Sequence, residues 1–228
     1  GGGPRAAAFA FGVLEGLAET RATFDGRERA MIDEIGQLCG GKLDGVVAGA
    51  GVANRAPGDL VTSVNYFGAV ATLDGLRPML AKGDAPRAVG IGSNSMSMVP
   101  IIQKLLDLYR AGDEAAAREL SNQFDREDAG VYATSKFGFA QWMREQAIKP
   151  EWIGSGIALN AIAPGLITTP MNPEEQVAAV LALGDHYPIP AGRGGTPDEI
   201  GGLVGYLLSE SAGYLCGTVI FIDGGTEP

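Results

Sequence analysis

The chain has 228 residues, of which 46% are hydrophobic, 19% are charged and 35 are glycine. That length suits one domain with a substantial buried core, and the composition excludes a disordered chain. The formal net charge of −10 argues against nucleic-acid or anionic-membrane partners, which need basic patches; no apolar run reaches the ~20 residues of a membrane span.

The opening stretch, GGGPRAAAFAFGVL, reads in two ways. Gly1, Gly2 and Gly3 with Pro4 form a glycine loop leading into a helix over residues 6–17, or AAAFAFGVL is itself a strand. Residues 27–39 place Ala30, Met31, Ile35 and Leu38 at helical spacing, and Gly40-Gly41 ends the pattern. Leu43, Val46 and Val47 lead into the small residues of a turn, as a short buried strand does. Residues 60–82 form a helix with Val61, Val64, Phe67, Leu73, Leu76 and Leu80 inward. RAVGIGSNS is a second short strand with a polar end at Ser93. Residues 101–124 read as two short amphipathic helices, broken and capped at Gly112-Asp113. Their Glu114, Glu119, Asp125, Glu127 and Asp128 read as a solvated face.

Residues 131–147 form the next helix. GIALNAIAPG is a strand running into a Pro-Gly turn, with Asn160 near its end. His186, Tyr187 and Pro188 read as a lid loop. Thr196, Pro197 and Glu199 start a helix, and TVIFIDGG is the last strand. Strands alternate with helices and are continuously apolar. The fold class is therefore α/β, a Rossmann-like doubly wound parallel sheet in three layers. It forms a single domain over residues 1–228, with an inserted helical segment at about 101–124. Cys39 and Cys216 read as free thiols of a reducing cytoplasm. With His186 as the only histidine, no zinc cluster or histidine-based triad is expected. No signal peptide is visible, so a cytoplasmic location is the expectation.

VYATSKFGFA puts Tyr132 and Lys136 one turn apart on one helix face. An ammonium beside a phenol favours the phenolate, and a tyrosine tuned this way exchanges a proton with a carbonyl or alcohol oxygen. Ser93 stands at a strand end, where open α/β sheets place ligands. The ordered set Gly49-Ala50-Gly51, Asn65, Ser93, Tyr132, Lys136 and Pro164-Gly165 resembles the short-chain dehydrogenase/reductase family over about residues 27–228.

The resemblance implies NAD(P)-dependent hydride transfer between an alcohol and a carbonyl, with NAD favoured. Ser93 would orient the substrate oxygen, Tyr132 would be the acid/base, Lys136 would hold the nicotinamide ribose and lower the tyrosine pKa, and Asn65 would support a relay water. Ala50 and Gly51 would line the adenosine side, although the turn lacks the family's asparagines. Pro164, Gly165, Ile167 and Thr169 would lie along the nicotinamide side. No metal is implied. The wide spacing from Ser93 to Tyr132 resembles the bacterial 3α-hydroxysteroid dehydrogenase/carbonyl reductase branch, in which the insertion borders the substrate pocket and obstructs a common dimer contact. A small apolar, even steroid-sized, alcohol or ketone and a homo-oligomer (dimer or tetramer) follow as expectations.

The family's glycine fingerprint and its two leading strand–helix steps do not fit into the 42 residues before Leu43. The family sets its first strand beside the one at 43–48. Either AAAFAFGVL fills that slot or the start is truncated or altered; the second is the expectation, giving an incomplete or atypical N-terminal βα portion. Two alternatives follow: a non-catalytic relative acting as a binding or assembly module, and an epimerase or dehydratase of the same type.

Overall fold

The computed structural model describes residues 8–9, 27–53, 55–170 and 172–227. Its sheet consists of β1 (Ala8–Phe9), β2 (Gly45–Ala48), β3 (Arg87–Ile91), β4 (Ala158–Pro164) and β5 (Val219–Ile222), all parallel and side by side in chain order. Parallel neighbours need long crossovers, and helices supply them. α1 (Arg27–Cys39) precedes β2. α2 links β2 to β3 as three consecutive stretches: Gly58–Thr62, a π-helical turn at Ser63–Gly68, and Ala69–Leu80. Between β3 and β4 come α3 (Ser95–Met98), α4 (Gln103–Ala111), α5 (Glu114–Ser121) and α6 (Gly130–Ala147). α7 (Glu174–Leu181) and α8 (Pro197–Leu207) lead to β5.

Alternate side chains of a strand face opposite ways. Val46, Ala48, Ala88, Leu159 and Ala161 bury against Leu73 and Leu76 of α2 and Phe139 and Met143 of α6. Val47, Val89 and Ile162 bury against Val204 and Leu207 of α8. Both faces of the sheet are covered, which is why its strands read as unbroken apolar runs. The chain has the three-layer, Rossmann-like α/β architecture that its sequence pattern indicates. No helix among the described residues is long and apolar enough to cross a membrane.

Several local expectations hold. Gly112, at φ 70°, ends α4, and the Asp113 carboxylate accepts from Ala116 N at 3.0 Å to open α5. Thr196 and Glu199 form a reciprocal capping box at the start of α8.

Ala8 and Phe9 pair in register with Val46 and Val47, so two residues of AAAFAFGVL form a strand beside β2. Other expectations are corrected. The reading of Gly1, Gly2 and Gly3 as a phosphate loop lies outside the described residues. Asn160 sits inside β4, not at a strand end; its Nδ2 donates to Leu215 O at 2.8 Å and its Oδ1 accepts from Thr218 N at 3.1 Å. It is a clamp on the approach to β5. Glu114 is not simply solvated, since it accepts from Ser63 Oγ at 2.8 Å. α3 and α7 have no counterpart in the sequence reading. α3 is a single turn, and α7 buries only Val177, so neither carries an apolar stripe.

Gly90 lets α6 lie close on the sheet: an added Cβ would stand 2.6 Å from Phe139 Cε1. Gly90→Ala is expected to destabilise the protein by about 1–3 kcal/mol in urea unfolding. Combined with Phe139→Leu, the loss should be smaller than the sum of the two single losses. Strict additivity would contradict this packing.

Candidate active site

The site is assembled at the carboxyl end of β3. Beyond the strand, Gly92 N still bonds Ile162 O at 2.7 Å and Asn94 N bonds Pro164 O at 3.0 Å. Ser93 is therefore held at the rim of the sheet, where open α/β folds bind ligands. Its Oγ accepts from Ser95 N at 3.2 Å, opening α3, and hydrogen-bonds the Tyr132 phenol. Just after it, Asn94 Nδ2 and Ser95 Oγ are buried with no hydrogen-bond partner among the described residues. Folded proteins seldom carry such a cost away from functional regions.

α6 carries Tyr132 and Lys136 one turn apart. Lys136 is 4% exposed. Its Nζ donates to Ile91 O at 2.9 Å and lies 5.9 Å from the Tyr132 ring centroid. Among the described residues, that carbonyl is its one hydrogen-bond partner and no carboxylate pairs with it, so N–H capacity is left over.

Asn65 lies in the π turn of α2 and is fully buried. A π turn adds a residue to a helical turn and redirects the side chains that it holds. Both ends of the Asn65 amide grip one neighbour: Oδ1 accepts from Val52 N at 2.8 Å and Nδ2 donates to Val52 O at 3.1 Å. This ties the loop after β2 to α2. Gly51 sits where that loop meets α6. A Cβ there would stand 3.3 Å from Asn65 Oδ1 and 3.5 Å from Lys136 Nζ. Ser93, Tyr132, Lys136, Asn65 and Gly51 are thus brought together.

The other predicted cofactor residues are more spread out. Ala50 is half-buried in the turn before Gly51. Pro164 joins the cluster through Asn94. Gly165 N donates to Ile222 O at 3.1 Å, and any side chain on Gly165 would collide with Asp223. Ile167 bridges to Gly195, and Thr169 exchanges backbone bonds with Asn172. No hydrogen bond among the described residues joins Ile167 or Thr169 to Tyr132 or Lys136.

Burial pushes the Tyr132 phenol up, the Ser93 hydrogen bond draws it partly back, and nearby Tyr187 adds to the rise. The lowering expected from the lysine is not among the causes; burial dominates, because excluding water costs a phenolate more than a neutral phenol. Burial also lowers Lys136, to about 8. Sequence reading missed the backbone partners Val52 and Ile91, which carry no residue-type signal. It placed Tyr187 on a lid loop without its electrostatic reach to Tyr132. The donor set of a partly free ammonium, a phenol and a glycine cradle fits the ribose of a nicotinamide dinucleotide.

A family model described as enoyl-(acyl carrier protein) reductase matches residues 121–227. The chain is 34% identical over 218 residues to the 3-alpha-hydroxysteroid dehydrogenase/carbonyl reductase of Comamonas testosteroni, across 90% of this chain and 80% of that protein. It is similar to the crystal structure of the 3-alpha-hydroxysteroid dehydrogenase from Pseudomonas sp. B-0831 complexed with NADH, with 35% identity, a TM-score of 0.74, and coverage of 89% of this chain and 80% of the other. It is also similar to the Pseudomonas aeruginosa RhlG/NADP active-site complex, with 26% identity, a TM-score of 0.64, and coverage of 87% and 71%.

A lysine with a lowered pKa holds its proton less tightly in the folded than in the unfolded chain. It therefore costs stability fully below pH 8, and the cost is relieved as pH rises from about 8 towards the ordinary lysine value. Lys136→Met is expected to be more stable than the parent at pH 7, by on the order of 1–3 kcal/mol, with the gap narrowing towards pH ~10. Parallel urea unfolding at the two pH values measures it. A gap independent of pH would contradict the desolvation described.

Proposed function

The chain belongs to the short-chain dehydrogenase/reductase family, and from that premise we propose that it is an NAD(P)-dependent oxidoreductase interconverting an apolar alcohol, of the hydroxysteroid kind, with its ketone or aldehyde. The observation that carries this reading is Lys136, a buried ammonium that pairs with no carboxylate among the described residues and lies near both the Tyr132 ring and the Gly51 cradle. The names of the similar hydroxysteroid dehydrogenases support the substrate class. NAD is favoured because the NADH-bound neighbour is 35% identical and the NADP-bound one 26%.

Bound dinucleotide supplies the hydride, or accepts it in the reverse direction. Lys136 and Tyr132 would hold its ribose, Ala50 and Gly51 would lie along its adenosine side, and Pro164, Gly165, Ile167 and Thr169 along its nicotinamide side. Ser93 Oγ and Tyr132 OH donate to the substrate carbonyl oxygen and draw charge from the carbon. As the carbon gains a hydride, the oxygen takes the Tyr132 proton and an alcohol results. In the oxidation direction the Tyr132 phenolate takes the alcohol proton. At neutral pH, below its pKa of about 8, the Lys136 ammonium stabilises the phenolate that reduction leaves behind, and Asn65 shapes the edge through which a relay water resupplies the proton.

Tyr132→Phe is expected to lower turnover by about 10²–10⁴-fold while dinucleotide binding, followed by calorimetry, persists. Full activity in that variant would overturn the mechanism. Failure of the parent to bind any of NAD(H) and NADP(H) would favour a non-catalytic binding module. The raised phenol pKa keeps Tyr132 protonated at neutral pH. Carbonyl reduction should accordingly proceed at neutral pH, and alcohol oxidation should rise as pH becomes alkaline. The initial rates of the two directions across pH provide the check.

A further inference from the structure

The inserted helices α4 and α5 pack on two elements, α2 and α6, and each of those elements carries residues of the candidate site. The first is the π turn that carries Asn65. Thr62 Oγ1, at the entry to that turn, lies 3.0 Å from Tyr109 OH and 2.5 Å from Ser121 Oγ. Ser121 Oγ donates to Ala117 O at 2.7 Å. Ser63 Oγ donates to Glu114 Oε1 at 2.8 Å. Tyr66 OH donates to Tyr109 O at 3.1 Å, and the two rings stack at 4.4 Å between centroids. Thr62 and Ser121 are fully buried, and Tyr109 is 1% exposed.

The second attachment is α6. Ile102 N, just before α4, donates to Thr134 Oγ1 at 2.9 Å, and Thr134 falls between Tyr132 and Lys136 in the chain. One turn further on, Gly138 leaves room for the stack. A Cβ there would be 3.1 Å from Tyr109 Cδ2, 3.3 Å from Leu106 Cδ1 and 3.3 Å from Tyr66 Cε2. Tyr109 therefore touches both the turn that presents Asn65 and the helix that presents Tyr132 and Lys136.

A π turn departs from the regular helical ladder and persists where surrounding contacts hold it. A buried hydroxyl network with every member paired is rigid. We infer that the helix pair α4–α5 sets the position of Asn65 relative to the Tyr132–Lys136 helix, with Thr62 and Tyr109 as positioning residues. The inserted segment is then part of the support of the catalytic geometry, facing inward, and more than a cover over the substrate. This rests on the role proposed above for Asn65.

The test is a double-mutant cycle on turnover of a hydroxysteroid with NAD, using the full chain. Thr62→Val keeps the shape and removes both hydrogen bonds. It is expected to lower kcat by about tenfold or more with KM changed by less than about twofold, because small displacements of a reacting geometry cost rate steeply. Thr62→Ser, which keeps the hydroxyl, should retain kcat. In an Asn65→Ala background, Thr62→Val should cost little further, because the group that it positions is gone. A kcat for Thr62→Val within about twofold of the parent, or losses that multiply in the double variant, would overturn the inference. If Thr62→Val shows no cooperative melting transition, Tyr109→Phe takes its place in the cycle, with the same two outcomes deciding. If Asn65→Ala alone leaves kcat unchanged while Tyr132→Phe abolishes it, the role of Asn65 fails, and this inference with it, while the proposed reaction stands.

Discussion

The buried ammonium of Lys136 is the constraint around which the site is arranged. Removing an ammonium from water is costly unless protein dipoles replace the lost solvation. Here one strand-end carbonyl, Ile91 O at 2.9 Å, gives part of that replacement, and no carboxylate among the described residues gives the rest. The side chain stays there because α6 is pressed onto the sheet through Phe139 over Gly90 and through the buried Met143 and Ala147. The energy that holds the lysine in place comes from apolar packing further along the same helix.

The same constraint explains the small residues around it. Gly51 keeps the loop after β2 clear of Lys136 Nζ and Asn65 Oδ1. Asn65 spends both ends of its amide on Val52, so the loop is tethered at the point where it passes the lysine. The tether depends on a π turn, an irregular piece of helix that local propensity does not specify. Its neighbours on the far side, Thr62, Ser63 and Tyr66, are all bonded into the inserted helices. Packing, irregular backbone and polar network converge on one small volume between β2, β3 and α6.

Much of this was legible in the sequence. The spacing of Tyr132 and Lys136 places both on one helix face whatever the tertiary fold. The apolar runs at 43–48, 87–91 and 157–164, alternating with periodic helices, specify a parallel sheet covered on both sides. Gly112-Asp113 and Thr196–Glu199 mark helix ends through backbone and capping chemistry that acts within a few residues. Asn160 reads as lying near a strand end because of the turn that follows, and its place as a clamp inside β4 shows only once its partners, Leu215 O and Thr218 N, are known. Those partners are more than fifty residues away in the chain.

The sequence by itself determined the class of fold, the order of the longer strands and helices from residue 27 onward and the residue types capable of proton transfer, because periodicity, capping and side-chain chemistry are local properties. Only the tertiary structure decided that Lys136 donates to Ile91 O, that burial outweighs the Ser93 hydrogen bond in setting the Tyr132 pKa, that Ala8 and Phe9 pair with β2, and that the inserted helices grip the turn of Asn65. Each depends on backbone groups or distant residues brought together by packing. Desolvation, which tunes both the tyrosine and the lysine, is a property of the assembled volume and of no segment within it.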